Sequence, residues 1–117
     1  MAAGQSPRRG EIWFCDFSQP VGHEQGKHRP SLVVSSDRMN ASRAGLVVVV
    51  CISTTAPRIP LHVPLNASES GLPSDSSIQC DHVRTVSIGR LDAVPAGKVS
   101  RATMARVEDN MRALLDL

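Results

Sequence analysis

Nine consecutive residues, Gly22-His23-Glu24-Gln25-Gly26-Lys27-His28-Arg29-Pro30, hold two imidazoles, a carboxylate, a carboxamide, a lysine and an arginine. These side chains can move protons and grip an anion. Histidine titrates near neutral pH and can give or take a proton there. Arginine offers a planar fork that meets two phosphate oxygens at once, and it stays protonated, so it stabilises charge and does not relay protons. Two glycines and the proline mark the stretch as a loop. Apolar runs stand on both sides of it, and a polar loop held between buried strands is a common seat of binding and catalysis. A solvated hairpin connection would have the same composition, so the remaining polar residues carry weight. Ser53, Thr54 and Thr55 directly follow a long apolar run, where a hydroxyl would be firmly placed; the plain alternative for Ser53 is a turn-forming serine. Asp81 and Arg84 interrupt another apolar segment, and they either pair with each other or face a ligand. His62 reads as structural, and His28 as a surface residue or a ligand contact.

The elements that must position these groups are mostly strands. Residues 10–17 form a first one, carrying all three aromatic residues, Trp13, Phe14 and Phe17. Ser31–Ser35 is a second, with Pro30 at its start. Residues 37–45 form a polar connection. Leu46–Ile52 is apolar at every position and contains four successive valines, so it is a central strand covered on both faces and not a helix. Leu61–Leu65 contains Pro64, which fits an edge strand or a bulge. Residues 66–75 are turn-forming. Residues 76–81 and 83–86 give one strand or two short ones, and 94–99 a last one. Ser100 is a good N-cap. After it, Met104, Val107, Met111, Leu114 and Leu115 recur on one face of a helix over 101–115. The expected architecture is mainly β, a small closed or nearly closed sheet with a C-terminal α-helix over it.

The chain has 117 residues, 41% of them apolar and 21% charged, which fits one globular domain. Residues 1–9 read as a flexible basic tail and 10–117 as the domain. No apolar run approaches the ~20 residues that span a bilayer. Cys15, Cys51 and Cys80 are widely spaced with no Cys-x-x-Cys pair, which argues for reduced thiols and a cytoplasmic location, and against a zinc or redox motif. No cofactor or metal is expected. Up to residue 60 there are seven basic against four acidic side chains, and beyond it six against seven. The basic half holds the polar loop, which suits a polyanion. With no tyrosine and one tryptophan, a stacking platform for bases is poorly provided.

Several segments, in order, resemble the MazF/PemK-type toxins, endoribonucleases of type II toxin–antitoxin systems. They are Arg9-Gly10-Glu11-Ile12-Trp13, Gly22-His23-Glu24-Gln25-Gly26, Arg29-Pro30-Ser31-Leu32-Val33-Val34, Ser36-Asp37 with Asn40, and Ile52-Ser53-Thr54-Thr55. Gly71-Leu72-Pro73-Ser74-Asp75-Ser76, Asp81-His82-Val83-Arg84-Thr85 and Leu114-Leu115-Asp116-Leu117 complete the set. The resemblance implies an SH3-like small β-barrel of the MazF/PemK/CcdB type that forms a homodimer. It also implies metal-independent cleavage of single-stranded RNA and neutralisation by a cognate antitoxin. By position, Arg29 matches the family's catalytic arginine and Ser53 its catalytic hydroxyl, with His23 and Glu24 as proton-transfer candidates. Gln25, Lys27, His28, Thr54, Thr55, Gln79, Asp81 and Arg84 are then expected along the RNA. Gln79 departs from the pattern, standing where a PemK-type relative has an arginine proposed as general acid, which weakens the case for Asp81 as the base.

Two rival functions fit less well. A gyrase-inhibiting toxin on the same barrel would carry a Trp-Gly-Ile-type tail, whereas this chain ends Leu-Leu-Asp-Leu. An SH3-like adaptor would need an aromatic groove for proline-rich peptides, and the aromatic residues are too few.

Overall fold

Val47, Val49 and Val50 are fully buried and Ile52 nearly so, and the strand that carries them lies inside the sheet. The computed structural model describes residues 6–17, 28–55 and 59–117. Within them the chain runs β1 (Glu11–Asp16), β2 (His28–Val33), α1 (Asp37–Asn40), β3 (Leu46–Ser53), β4 (His62–Leu65), α2 (Ala67–Ser70), β5 (Ser76–Ser87), a single 3-10 turn (Ile88–Arg90), β6 (Gly97–Lys98) and α3 (Arg101–Leu115). The six strands form one sheet in the order β4-β5-β3-β2-β1-β6, antiparallel throughout.

Strand alternation sends side chains to two different cores. Ile12, Leu32, Val50, Ile52, Val63 and Ile78 pack under α3 against Met104 and Val107. Each such aliphatic side chain, fully buried, stabilises the fold by roughly 1.5–3 kcal/mol. Trp13, Cys15, Val33, Val47, Val49 and Val86 form the second cluster on the opposite face, with Phe17, Ile88 and Leu91 against it.

The sheet curls until its ends meet. Hydrogen bonding stops at β4 on one side and β6 on the other, but α2, which follows β4, packs on β6. The approach is so close that a Cβ on Gly97 would lie 2.0 Å from the Ser70 carbonyl oxygen, so only glycine fits. Glu69 adds a polar tie, accepting a 2.8 Å hydrogen bond from the Ser100 N–H at the start of α3.

Helix α3 has the limits its periodicity predicts, and the Ser100 hydroxyl caps it by accepting from the Thr103 N–H at 3.1 Å. Other elements correct the sequence reading. The polar connection after β2 contains α1, capped by Ser36. Its Asn40 is buried, bonding the Ser35 hydroxyl and carbonyl. The turn-forming stretch after β4 contains α2. Of the stretch read as a basic tail, residues 7–9 are held against the domain. Pro7 is buried, and Arg9 reaches the Val34 carbonyl at 3.0 Å and Glu108 at 2.7 Å. Strand β2 starts at His28, so Pro30 is its third residue and Arg29 belongs to the strand, not to the loop.

Candidate active site

Pairing between β2 and β3 ends at Ser31 with Cys51. Continued two residues further along both strands, that register sets Arg29 beside Ser53, both on the face away from α3. The two side chains therefore stand past the last paired rung, backed by the sheet but not consumed by its packing. Arg29 is exposed and Ser53 half-buried. Pro30 lies where β2 has β1 but not β3 as a partner, a position that tolerates a missing N–H.

Ser53 is oriented by its own turn. Its oxygen accepts the Thr55 N–H at 3.1 Å and lies 3.2 Å from the Thr55 hydroxyl. Both threonines of the turn, Thr54 and Thr55, are exposed. Beyond them a groove of about 360 Å³ runs past Ile59, His62, Pro64 and Ser77.

On the other side of β3 the ladder breaks. Val50 pairs with Val83 but Cys51 pairs with Gln79, so Cys80, Asp81 and His82 sit as an excess on β5 between successive partners. What sequence alone leaves as one strand or two is a single twelve-residue strand with this irregularity in it. Asp81 is thereby turned toward β4, where its Oδ1 lies 2.8 Å from Nε2 of the buried His62. Of the two readings for Asp81 and Arg84, the ion pair is not the one formed. Asp81 takes His62, with His82 Nε2 at 3.9 Å, while the Arg84 guanidinium lies 4.8 Å from the centre of the Phe17 ring. Burial pulls the Asp81 carboxyl upward. The hydrogen bonds from His62 and its own backbone, with the charges of His62 and His82, outweigh that and hold it below the usual carboxylate range. A carboxylate so stabilised is a weak general base and a good orienting partner for an imidazole.

Cys51 is the β3 residue at this rung, paired with Ser31 on one side and Gln79 on the other. Burial pushes its thiol up, opposed by the positive charges of Arg84 and Arg29. Gln79 is the Cys51 register partner on β5 and the His62 partner across β4, and only 9% of it is exposed. His28 is brought elsewhere. It alternates to the face opposite Arg29, stacks on Phe14 with ring centres 5.0 Å apart, and its Nε2 lies 2.7 Å from Asp92. His23, Glu24, Gln25 and Lys27 lie outside the described residues. His82 is the candidate that sequence reasoning missed. It is half-exposed and adjoins Asp81 in the chain, and that adjacency was the available signal.

The arrangement joins a guanidinium with no ion-pair partner among the described residues, an oriented hydroxyl and an imidazole–carboxylate set around one rung of the sheet. It suits anion binding with proton transfer. Residues 8–115 match the family model described as PemK-like, MazF-like toxin of type II toxin-antitoxin system. The chain is 36% identical over 115 residues to "Endoribonuclease MazF9" of Mycobacterium tuberculosis, covering 94% of this chain and 97% of that protein. It is 35% identical over 85 residues to "Endoribonuclease EndoA" of Bacillus subtilis, covering 72% and 73% of the two chains. Among solved structures it is similar to a mycobacterial endoribonuclease in complex with its cognate antitoxin, with TM-score 0.78, 27% identity, and 96% and 97% coverage. A MazE–MazF structure from Deinococcus radiodurans aligns with TM-score 0.81 at 26% identity, covering 97% of this chain and 98% of that one.

Proposed function

The chain belongs to the PemK-like, MazF-like toxins of type II toxin–antitoxin systems, and from that membership we propose that it is an endoribonuclease toxin cleaving single-stranded RNA, with the reaction centred on Arg29 and Ser53. The observation that carries this centre is the β2–β3 register, which sets the two residues side by side beyond the end of the ladder.

RNA supplies its own nucleophile, the 2′-hydroxyl next to the scissile phosphate. The protein has three tasks: to take that proton, to stabilise charge on the phosphorane, and to protonate the departing 5′-oxygen. Arg29 performs the second as a two-pronged clamp. Ser53, with its oxygen already accepting the Thr55 N–H, directs its own proton to a phosphate oxygen. Proton transfer falls to His23 and Glu24, with the His82–Asp81 pair as a further candidate now that Asp81 is held ionised. The products are a 2′,3′-cyclic phosphate and a 5′-hydroxyl. Flanking nucleotides run past Thr54, Thr55 and Arg84, with Gln25 and Lys27 from the polar loop. Gln79 contributes from a buried position, shaping the floor and not reaching out. His28, on the opposite face, contacts RNA only where the strand wraps the sheet edge.

We further propose a cognate antitoxin as partner, its carboxylates meeting Arg29 and Arg84. A homodimer would cover exposed apolar side chains such as Val94, Leu115 and Leu117. Among the described residues no helix is long and apolar enough to cross a membrane. The free thiols of Cys15, Cys51 and Cys80 suit a reducing cytoplasm.

The test is incubation of the pure protein with single-stranded RNA in EDTA, with end-group analysis of the fragments. Cleavage leaving cyclic phosphates is expected. Activity that disappears in EDTA and returns with magnesium would overturn the metal-free reaction.

A further inference from the structure

The irregularity in β5 gathers three groups that no step above needs together. His62 comes from β4, and Asp81 and His82 from the excess on β5. One ligand atom from each, two imidazole nitrogens and a carboxylate oxygen, lies within 4.8 Å of the others. We propose that His62, Asp81 and His82 form a binding site for a borderline divalent transition ion of the zinc class, and that the ion, once bound, restrains ribonuclease activity. Ion binding is independent of the ribonuclease reading; only its effect on cleavage rests on it.

The donor set sorts the ions. Two imidazoles and one carboxylate suit zinc and its neighbours, whereas magnesium and calcium take oxygen donors. The spacing fits too. Zinc–ligand bonds of about 2.0–2.2 Å in a tetrahedron place ligand atoms roughly 3.4 Å apart. The His62–Asp81 and His82–Asp81 separations, 2.8 and 3.9 Å, lie on either side of that value. Closing the set therefore needs the first pair to open slightly and His82 to move in toward both partners, the widest of the three separations being no more than 4.8 Å. Mobility is distributed to allow this. The His62 side chain is 4% exposed and fixed by packing, while that of His82 is 53% exposed and free to turn. Three protein ligands leave the fourth position for water, as in open zinc sites.

A bound ion would take the lone pairs of both imidazoles and one oxygen of Asp81. His82 and Asp81 could then neither orient nor carry a proton in the proposed reaction. Inhibition by zinc and persistence of activity in EDTA follow from the same arrangement.

The experiment uses the full chain, stripped with EDTA, exchanged into phosphine-reduced buffer, and titrated with zinc chloride against a chromophoric zinc indicator without RNA. One zinc per chain with micromolar or tighter affinity is expected, with no competition from excess magnesium. His82→Ala should weaken binding at least about tenfold, since loss of an outer-shell partner alone costs 10–100-fold. Its exposure leaves the core untouched. His28→Ala removes an imidazole from the other histidine–aspartate pair, on the opposite face, and should bind zinc like the native chain. Absence of micromolar binding, equal affinity in His82→Ala, or loss in His28→Ala alone would overturn the site. Cleavage assays at graded zinc then read the ratio of treated to untreated rate for each protein. That ratio should fall in the native chain at zinc concentrations that leave it unchanged in His82→Ala. Parallel inhibition of both would overturn the regulatory effect while leaving the binding result standing.

Discussion

Replacing Arg29 by lysine separates a two-pronged clamp from a point charge. Lysine keeps the positive charge but offers one flexible ammonium in place of a rigid fork. If both prongs hold phosphorane oxygens, Arg29→Lys should lose most of what Arg29→Ala loses, on the order of 10²–10³ in rate, or about 2.7–4 kcal/mol of transition-state stabilisation. The fold should not suffer. Arg29 is exposed and stands beyond the last β2–β3 rung, so its removal opens no cavity, and the stability change should stay within about ±0.5 kcal/mol. Ground-state affinity should fall modestly. One lost phosphate contact lowers the slope of log affinity against log salt by roughly 0.7 for a single strand. The assay is single-turnover cleavage alongside binding of an uncleavable 2′-deoxy substrate over a salt series, with thermal unfolding as control. Near-native cleavage by Arg29→Lys would refute the clamp. A fall in affinity matching the fall in rate would make Arg29 a binding residue and move the chemistry to His23, Glu24, Ser53 and His82.

Two further outcomes test how the barrel is closed. Gly97→Ala forces a methyl group against the Ser70 backbone, which cannot swing aside, and should destabilise the fold by about 1–3 kcal/mol in denaturant titration; an unchanged midpoint would show that α2 and β6 do not depend on this contact. Burial raises the Glu69 pKa, but the Ser100 N–H and the Ser100 and Thr103 hydroxyls bring it below the ordinary glutamate value. Its folded pKa lies under the unfolded one, so its contribution is present above about pH 4.5 and is lost as pH falls through the folded value. Glu69→Gln should therefore destabilise the protein near neutrality, by about 0.3–1 kcal/mol for a charge at a helix start. The gap should close in acid, and a gap that widened on acidification would contradict the assignment.

What could be read from the chain alone was what periodicity encodes. Five apolar residues on one face gave α3 to the residue, and the valine run gave β3 its place inside the sheet. Four-residue helices have no period to detect, and their formation rests on context. That is why α1 and α2 lay inside stretches of turn-forming composition, although Ser36 before Asp37 was a capping signal. Composition alone puts Arg29 in a loop, because Pro30 reads as a strand's beginning. The structure puts Pro30 inside β2, where the missing β3 partner makes a lost N–H harmless. His62 and Asp81 are nineteen residues apart and meet only through the β4–β5 register, which no local pattern reports. The polar interruption at Asp81 and His82 was visible, but its meaning was not. It could end a strand or bend one, and only the pairing of Cys51 with Gln79 decides for bending.

That bend explains why the site is where it is. Pairing with β2 ends at Cys51, and the register with β5 shifts between Val50 and Cys51. At this one rung, then, β3 loses β2 as a partner, and its ladder with β5 is interrupted by the excess before resuming through Cys51, Ile52 and Ser53. Up to Val50 the strand is core, with Val47, Val49 and Val50 fully buried. Beyond it Ile52 still points into the core, 1% exposed, while Cys51 and Ser53, on the other face, are only half-buried. Arg29 and Ser53 stand on the β2 flank of this rung and Asp81 and His82 on the β5 flank, so in the proposed reaction a phosphate held at the first pair would lie toward the proton-carrying groups of the second. A regular ladder through Cys51 would bury or separate these groups. Removing the three-residue excess in β5 would make the β3–β5 ladder regular and dismantle the candidate site together, because the irregularity that interrupts the ladder is also what turns Asp81 toward His62.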